Sequence, residues 1–146
     1  MADEPPTFDD IRADFELLDE WEDRYRYLIE LGRQLPPLAP GLRDDAHKVR
    51  GCASQVWLAA NRDAGRDGLP RLSFAGDSDA HIVKGLVALL IALYRDVTPA
   101  EALAIDAPAE FSALQLKEHL TPQRSNGLAS MIQRIRAEAE AVAAGH

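Results

Sequence analysis

Apolar positions in this chain follow a helical period at both ends and a strand period in the middle. Thr7, with Asp10 three residues on, resembles a capping box with Asp in place of Glu, and predicts a helix to about Leu18. Asp19 is placed to cap a second helix running to about Gln34. In it Trp21, Tyr25, Leu28, Ile29 and Gly32 share one face, a stripe suited to core packing rather than to a cofactor. Pro36, Pro37 and Pro40 then force a loop, because proline lacks the N–H that a helix needs.

From Ala46 the pattern turns to strands. His47–Arg50 is a short candidate, Gln55–Asn61 a second with Val56 and Leu58 at strand-compatible positions, and Arg71–Ala75 an alternating third. The Gly- and Asp-rich run Asp63–Gly68 reads as the hairpin loop between the last two. Gly76–Asp79 leads out of the sheet, and one of Asp77, Ser78 and Asp79 is expected to cap the next helix. That helix, Ile82–Tyr94, is apolar almost all round, so it belongs in the middle of the fold; it is too short to cross a bilayer.

Thr98-Pro99-Ala100-Glu101 is a start signal for a short helix to about Ile105, and Pro108 opens another to about His119. Thr121-Pro122 repeats the signal, although Ser125 and Asn126 are also capable caps. Leu128, Met131, Ile132, Ile135, Ala139 and Val142 mark the buried face of a long last helix. The predicted class is α+β: a small three-stranded antiparallel sheet packed against helices, one domain over residues 1–146 with residues 1–6 frayed.

Composition narrows the function classes. A 47% hydrophobic fraction in 146 residues supports one real core. No apolar run reaches the length of a membrane span, and the N-terminus lacks the basic and apolar regions of a secretory signal. A single cysteine forms no internal disulfide, so a cytoplasmic, reducing setting is expected, with the chain a monomer. The net charge of −8 is uneven: residues 1–30 hold eleven acids and three bases, the rest thirteen of each. That segment reads as a solvated helix face, or alternatively as a surface steering a basic partner. With no basic stripe interleaved with aromatics, nucleic-acid binding is not expected.

The chemistry concentrates in Val49–Trp57, which contains the only cysteine, Cys52. Gly51 before it suggests a tight turn that presents a thiol; an inert, buried cysteine is the alternative. No spacing marks His47, His81, His119 or His146 as its base. A carboxylate from Asp77 or Asp79 near the thiol would raise its pKa, whereas a cation such as Arg124 would favour the thiolate. Arg124 can also pair with an acid to hold its turn. Two acids without clustered His or Cys are too few for a metal.

Gly51-Cys52-Ala53-Ser54-Gln55-Val56-Trp57 resembles the active-cysteine motif of the SufE family of sulfur-acceptor proteins. Gly76–Leu86, His119–Leu128 and the earlier Trp21–Gly32 fit the same family in order, covering nearly the whole chain. The resemblance implies a compact, NifU-like fold of the kind used by iron–sulfur scaffold proteins. It implies Cys52 as persulfide acceptor, with Gly51, Ala53, Ser54 and Gln55 as its supporting loop and Asp79 and Arg124 as partner-binding residues. The implied partners are a SufS-type cysteine desulfurase, which itself uses pyridoxal phosphate, and a SufBCD-type scaffold downstream. The chain would need no cofactor or metal of its own. It would act as a sulfur-transfer partner forming a covalent persulfide rather than as a free-standing enzyme. With one cysteine it cannot hold a cluster in the usual cysteine-ligated way. A CsdE-like paralogous carrier, a non-catalytic desulfurase-activating adaptor and an independent thiol enzyme are the alternatives. An exposed persulfide is chemically vulnerable, so Cys52 is expected to be tucked against an apolar surface and to swing out on docking.

Overall fold

Side-chain caps that the sequence offers start four of the six described α-helices. The computed structural model describes residues 6–52, 54–64, 68–116 and 119–145. Helix α1 (Phe8–Leu17) starts at the predicted capping box, Thr7 Oγ1 accepting from Asp10 N–H and Asp10 Oδ2 from Thr7 N–H, each at 3.1 Å. It buries Phe8, Ile11 and Phe15.

Helix α2 (Trp21–Arg33) starts one residue later than predicted: Glu20, not Asp19, is the N-cap, and no side chain caps it. Arg24 secures the junction instead. Its Nε donates to Leu18 O at 2.8 Å and its Nη2 to Phe15 O at 3.0 Å, an oxygen that also accepts from the Leu18 N–H. Within the predicted stripe Leu28 and Gly32 are buried, and Trp21, Tyr25 and Ile29 are half-buried. The described acids of residues 6–30 are all exposed, as a solvated face requires.

The sheet has two strands, not three. β1 (Val56–Ala64) and β2 (Pro70–Ser78) pair antiparallel from Val56↔Ser78 to Ala64↔Pro70. The expected strand His47–Arg50 contributes a single bridge, Lys48↔Trp57, with Val49 N–H bonded to Val56 O (2.8 Å) and Leu58 N–H to His47 O (2.9 Å). The ladder stops on both sides for local reasons. Upstream, Asp44 Oδ1 captures the His47 N–H (3.0 Å) and faces its ring Nδ1 (2.7 Å), folding the chain into a turn. Downstream, Gly51 at φ +89° turns it away. Asp63, assigned to the hairpin loop from sequence, lies in β1; Gly65, Arg66 and Asp67 fall outside the described residues.

Helix α3 (His81–Leu93) is buried as its composition demanded, with Leu86, Val87, Leu89 and Leu90 fully inside. It packs on β2 and against α2, where Gly32 and Gly85 let the two backbones touch. Helix α4 (Pro99–Ala104) has its predicted capping box, Thr98 with Glu101. Helix α5 (Ala107–Ala113) is capped by Asp106 and is shorter than predicted; Gln115, at φ 61°, marks where the helical path is lost. Helix α6 (Pro122–Ala143) starts at Thr121, so Ser125 and Asn126 lie inside it. Its predicted face is buried from Leu128 to Ala139, with Val142 half-buried. Among the described residues no helix is long and apolar enough to cross a membrane.

Candidate functional site

Cys52 sits where the loop before β1 meets α6. Gly51 serves that meeting in two ways. Its positive φ makes the turn, which a side chain would strain, and a Cβ there would lie 2.6 Å from Ser130 Oγ, so that hydroxyl would have to turn away. Cys52 is half-buried, and its Sγ donates to Gly127 O at 3.5 Å. Gly127 permits this approach: a Cβ there would be 3.4 Å from Sγ.

Around the sulfur lies a recess of about 20 Å³, lined by Ser54, Val83, Leu86, Arg124, Gly127 and Met131, with Gln123 at its edge. Larger hollows, about 310 Å³ between α5 and α6 and about 180 Å³ beside the end of α2, carry no ionisable side chain, whereas one of about 350 Å³ where α4 and α5 meet α6 is lined by Asp106 and Arg136. None of the three offers a thiol.

The sequence-predicted site residues separate into groups. Cys52, Ser54 and Arg124 come together at the recess, and Gly51 forms the turn above it. Ala53 lies outside the described residues. Gln55 is held from behind by Asp79: its N–H donates to Asp79 Oδ1 (3.0 Å), and the Asp79 N–H returns to Gln55 O (3.2 Å). Asp79 therefore ties down the end of the loop and is not part of the thiol recess. Arg124 has no carboxylate in ion-pair range among the described residues, which leaves its charge available to the recess.

The expected cap on α3 takes another form. The N-cap is Ala80, with no side-chain cap bond. Ser78 Oγ accepts from Ala80 N–H at 3.2 Å just before the helix. Asp77 is buried in β2, bonded to Arg43 and lying 3.3 Å from Lys84 Nζ. Asp77 spends its carboxylate on Arg43, on Lys84 and on the adjacent Ser78 N–H (2.8 Å), and so does not cap α3.

No described histidine lines the recess. His119 stacks on Trp21 (ring centroids 3.7 Å apart, 21° between planes), and its carbonyl accepts from Tyr25 OH. His47 faces Asp44, His81 begins α3, and His146 is outside the described residues. Among the described residues no group of three or more His, Cys, Asp or Glu side chains is placed to hold a metal ion.

Val83, Leu86 and Met131 read from sequence only as core positions. Gly127 had a signal: a glycine inside a helix costs about 1 kcal/mol relative to alanine, and often marks a close approach.

Burial pushes the Cys52 thiol up in pKa. At neutral pH it is thus protonated and able to donate to Gly127 O. Alkylation of the isolated protein should be slow at pH 7, rise about tenfold per pH unit, and still climb where an ordinary thiol, with a pKa of about 8.5, levels off. A rate profile by intact mass checks this, and a plateau below pH 8 would contradict it.

A family model described as "SufE: Fe-S metabolism associated domain" matches residues 9–139. A SufE-like protein of Rhizobium etli is 53% identical over 138 residues, covering 94% of this chain and 93% of that protein. One of Rhizobium meliloti is 51% identical over 134 residues, covering 92% and 95%. The solution structure of a hypothetical protein from Thermus thermophilus superposes with a TM-score of 0.73 over 93% of this chain and 95% of the other; at 24% identity it shows a shared fold.

Proposed function

The chain belongs to the SufE family of Fe–S metabolism associated proteins, and from that premise we propose that it accepts sulfur from a cysteine desulfurase onto Cys52. The observation that carries this reading is the placement of Cys52. It is the chain's one cysteine, on a glycine-turned loop, its sulfur in a small recess beside Val83, Leu86 and Met131 with one cation, Arg124, at the wall.

The chemistry is displacement at sulfur. The Cys52 thiolate attacks the outer sulfur of a persulfide on the desulfurase cysteine. A new S–S bond forms on Cys52, the old one breaks, and the desulfurase cysteine leaves as a thiolate. Electrons balance without an oxidant or reductant. The desulfurase regains its free thiol, which is how the chain speeds it without a cofactor of its own.

The free protein holds its sulfur protonated and sheltered, so reaction requires the loop to leave the recess. A protonated thiol is a poor nucleophile, and shelter protects a persulfide from reductants and oxidants. Arg124 favours the anionic persulfide when the loop returns. Asp79, exposed at the foot of the loop, and Arg124 are the proposed contacts for a SufS-type desulfurase; a SufBCD-type scaffold is the proposed acceptor. The setting is a reducing cytoplasm, in which a lone thiol persists, and the chain acts as a monomer.

The test is to mix the protein with an active desulfurase and free cysteine and to take an intact mass without reductant. A gain of one or more sulfur atoms, localised to the Cys52 peptide, is expected. No gain beside a turning-over desulfurase would overturn the acceptor role.

A further inference from the structure

The thiol loop is tied at both of its ends. Among the described residues, the hydrogen bond from Arg50–Ser54 to the body of the fold is the weak one from Cys52 Sγ to Gly127 O. The downstream tie is the Gln55–Asp79 pair. The upstream tie comes from α6. Arg134 Nη2 donates to Ala46 O at 2.7 Å and Nη1 to Lys48 O at 3.4 Å, while its Nε faces Glu138 Oε1 at 3.4 Å.

These bonds take up what the sheet leaves over. His47 O and Val49 N–H are spent on β1, whereas the carbonyls of Ala46 and Lys48 face the helix. Only a guanidinium presents several donors in a fixed fork able to reach two carbonyls while a carboxylate holds its third nitrogen. Without it, residues 46–48 would be held to β1 by one bridge, with the buried Val49 side chain as the remaining hold on the fold, and an isolated pair of strand hydrogen bonds is marginal in water.

Where the loop is tied determines how far the thiol can travel. With anchors at Val49 and Gln55, five residues are free; at about 3.5 Å per residue a doubled-back segment carries its tip roughly 10 Å. If the upstream anchor slips back to Asp45, nine residues are free and the tip reaches roughly 15 Å, over a much wider set of positions.

We propose that Arg134 is a positioning residue for sulfur transfer: forked across the Ala46 and Lys48 carbonyls, it sets where the Cys52 loop begins to move, and so the reach of the thiol. This rests on the acceptor reading of Cys52, but its first test does not need a desulfurase.

Alkylation of Cys52 by iodoacetamide at fixed pH is followed by intact mass in four proteins: wild type, Arg134→Met, Arg134→Lys and Ile135→Val. Arg134→Met should react about fivefold faster or more, in keeping with the loss of charge-assisted hydrogen bonds. Arg134→Lys, a single point of attachment, should lie between it and wild type. Ile135→Val loosens the buried face of the same helix without touching the loop, and should react at the wild-type rate. In sulfur loading from a desulfurase, Arg134→Met should need several-fold more protein for half-maximal uptake but reach the same extent.

A wild-type alkylation rate in Arg134→Met, or the same acceleration in Ile135→Val, overturns the assignment. Should Arg134→Met fail to fold, Arg134→Lys decides alone: the assignment stands if it is faster than wild type and falls if it is not. Faster alkylation together with no sulfur uptake by wild type sinks the acceptor reading and leaves the loop anchor standing. Uptake by wild type with no change in alkylation does the reverse.

Discussion

Cys52→Ser is expected to fold as the wild type does and to take up no sulfur. The substitution removes one large atom from a half-buried position and leaves the Gly51 turn unchanged. A hydroxyl donates to Gly127 O at least as well as a thiol does, so the loop keeps its tie to α6. Stability should stay within about 1 kcal/mol of wild type, measured by thermal unfolding. The chemistry is lost entirely, because an alcohol has no accessible anion near neutral pH and the chain has no second cysteine to take over. Incubated with a desulfurase and cysteine, the variant should show an unchanged intact mass, and stimulation of desulfurase turnover should vanish with it. Unchanged mass with full stimulation would mean that the chain activates its partner by docking alone. Sulfur retained on the variant would exclude a cysteine persulfide altogether.

Gly85→Ala should lower the unfolding midpoint by roughly 10 °C. Local propensity argues the other way, since alanine is favoured over glycine in a helix by about 1 kcal/mol. Packing decides the sign. A Cβ on Gly85 would lie 2.7 Å from the carbonyl carbon of Leu28, 3.0 Å from its Cβ, and closer still to its carbonyl oxygen. The obstacle is backbone of α2, which cannot rotate aside as a side chain would. Gly32 faces the same contact from the other helix, its Cβ position 2.9 Å from Gly85 N. Separating two helices that bury Leu28, Leu86 and Leu90 costs about 3 kcal/mol or more, at the upper end for overpacking. In a domain of this size that corresponds to a few degrees per kcal/mol. A midpoint unchanged or raised by the substitution would show that the helices do not meet there.

The helical half of the fold was legible because its signals are local. The capping boxes at Thr7 and Thr98 and the Thr-Pro start at Thr121 each depend on residues within four positions of one another. The all-round apolar run of α3 could only be buried. The errors fall where elements begin and end. The α2 start lies at Glu20 rather than Asp19, without a side-chain cap, and Arg24 ties the junction through the carbonyls of Phe15 and Leu18. Asp77 left its capping role because Arg43 and Lys84 reach it inside the fold. The expected third strand shrank to one bridge because Asp44 folds its upstream end and Gly51 turns the chain away downstream.

The site divides in the same way. The sequence by itself determined the thiol, the glycine turn beside it and the family, since a reactive loop must carry its own unusual residues in one short stretch. Only the tertiary structure decided what surrounds the sulfur. The recess is assembled from α3 and α6 residues that lie about 30 to 80 positions from Cys52 along the chain. Each of them looks like ordinary helix or core until the elements pack. The separation of roles between Asp79 and Arg124, one tying the loop and the other lining the recess, likewise appears only there. Side-chain contacts across such distances follow from how the helices and the sheet stack, and the apolar period that drives stacking does not name the partners.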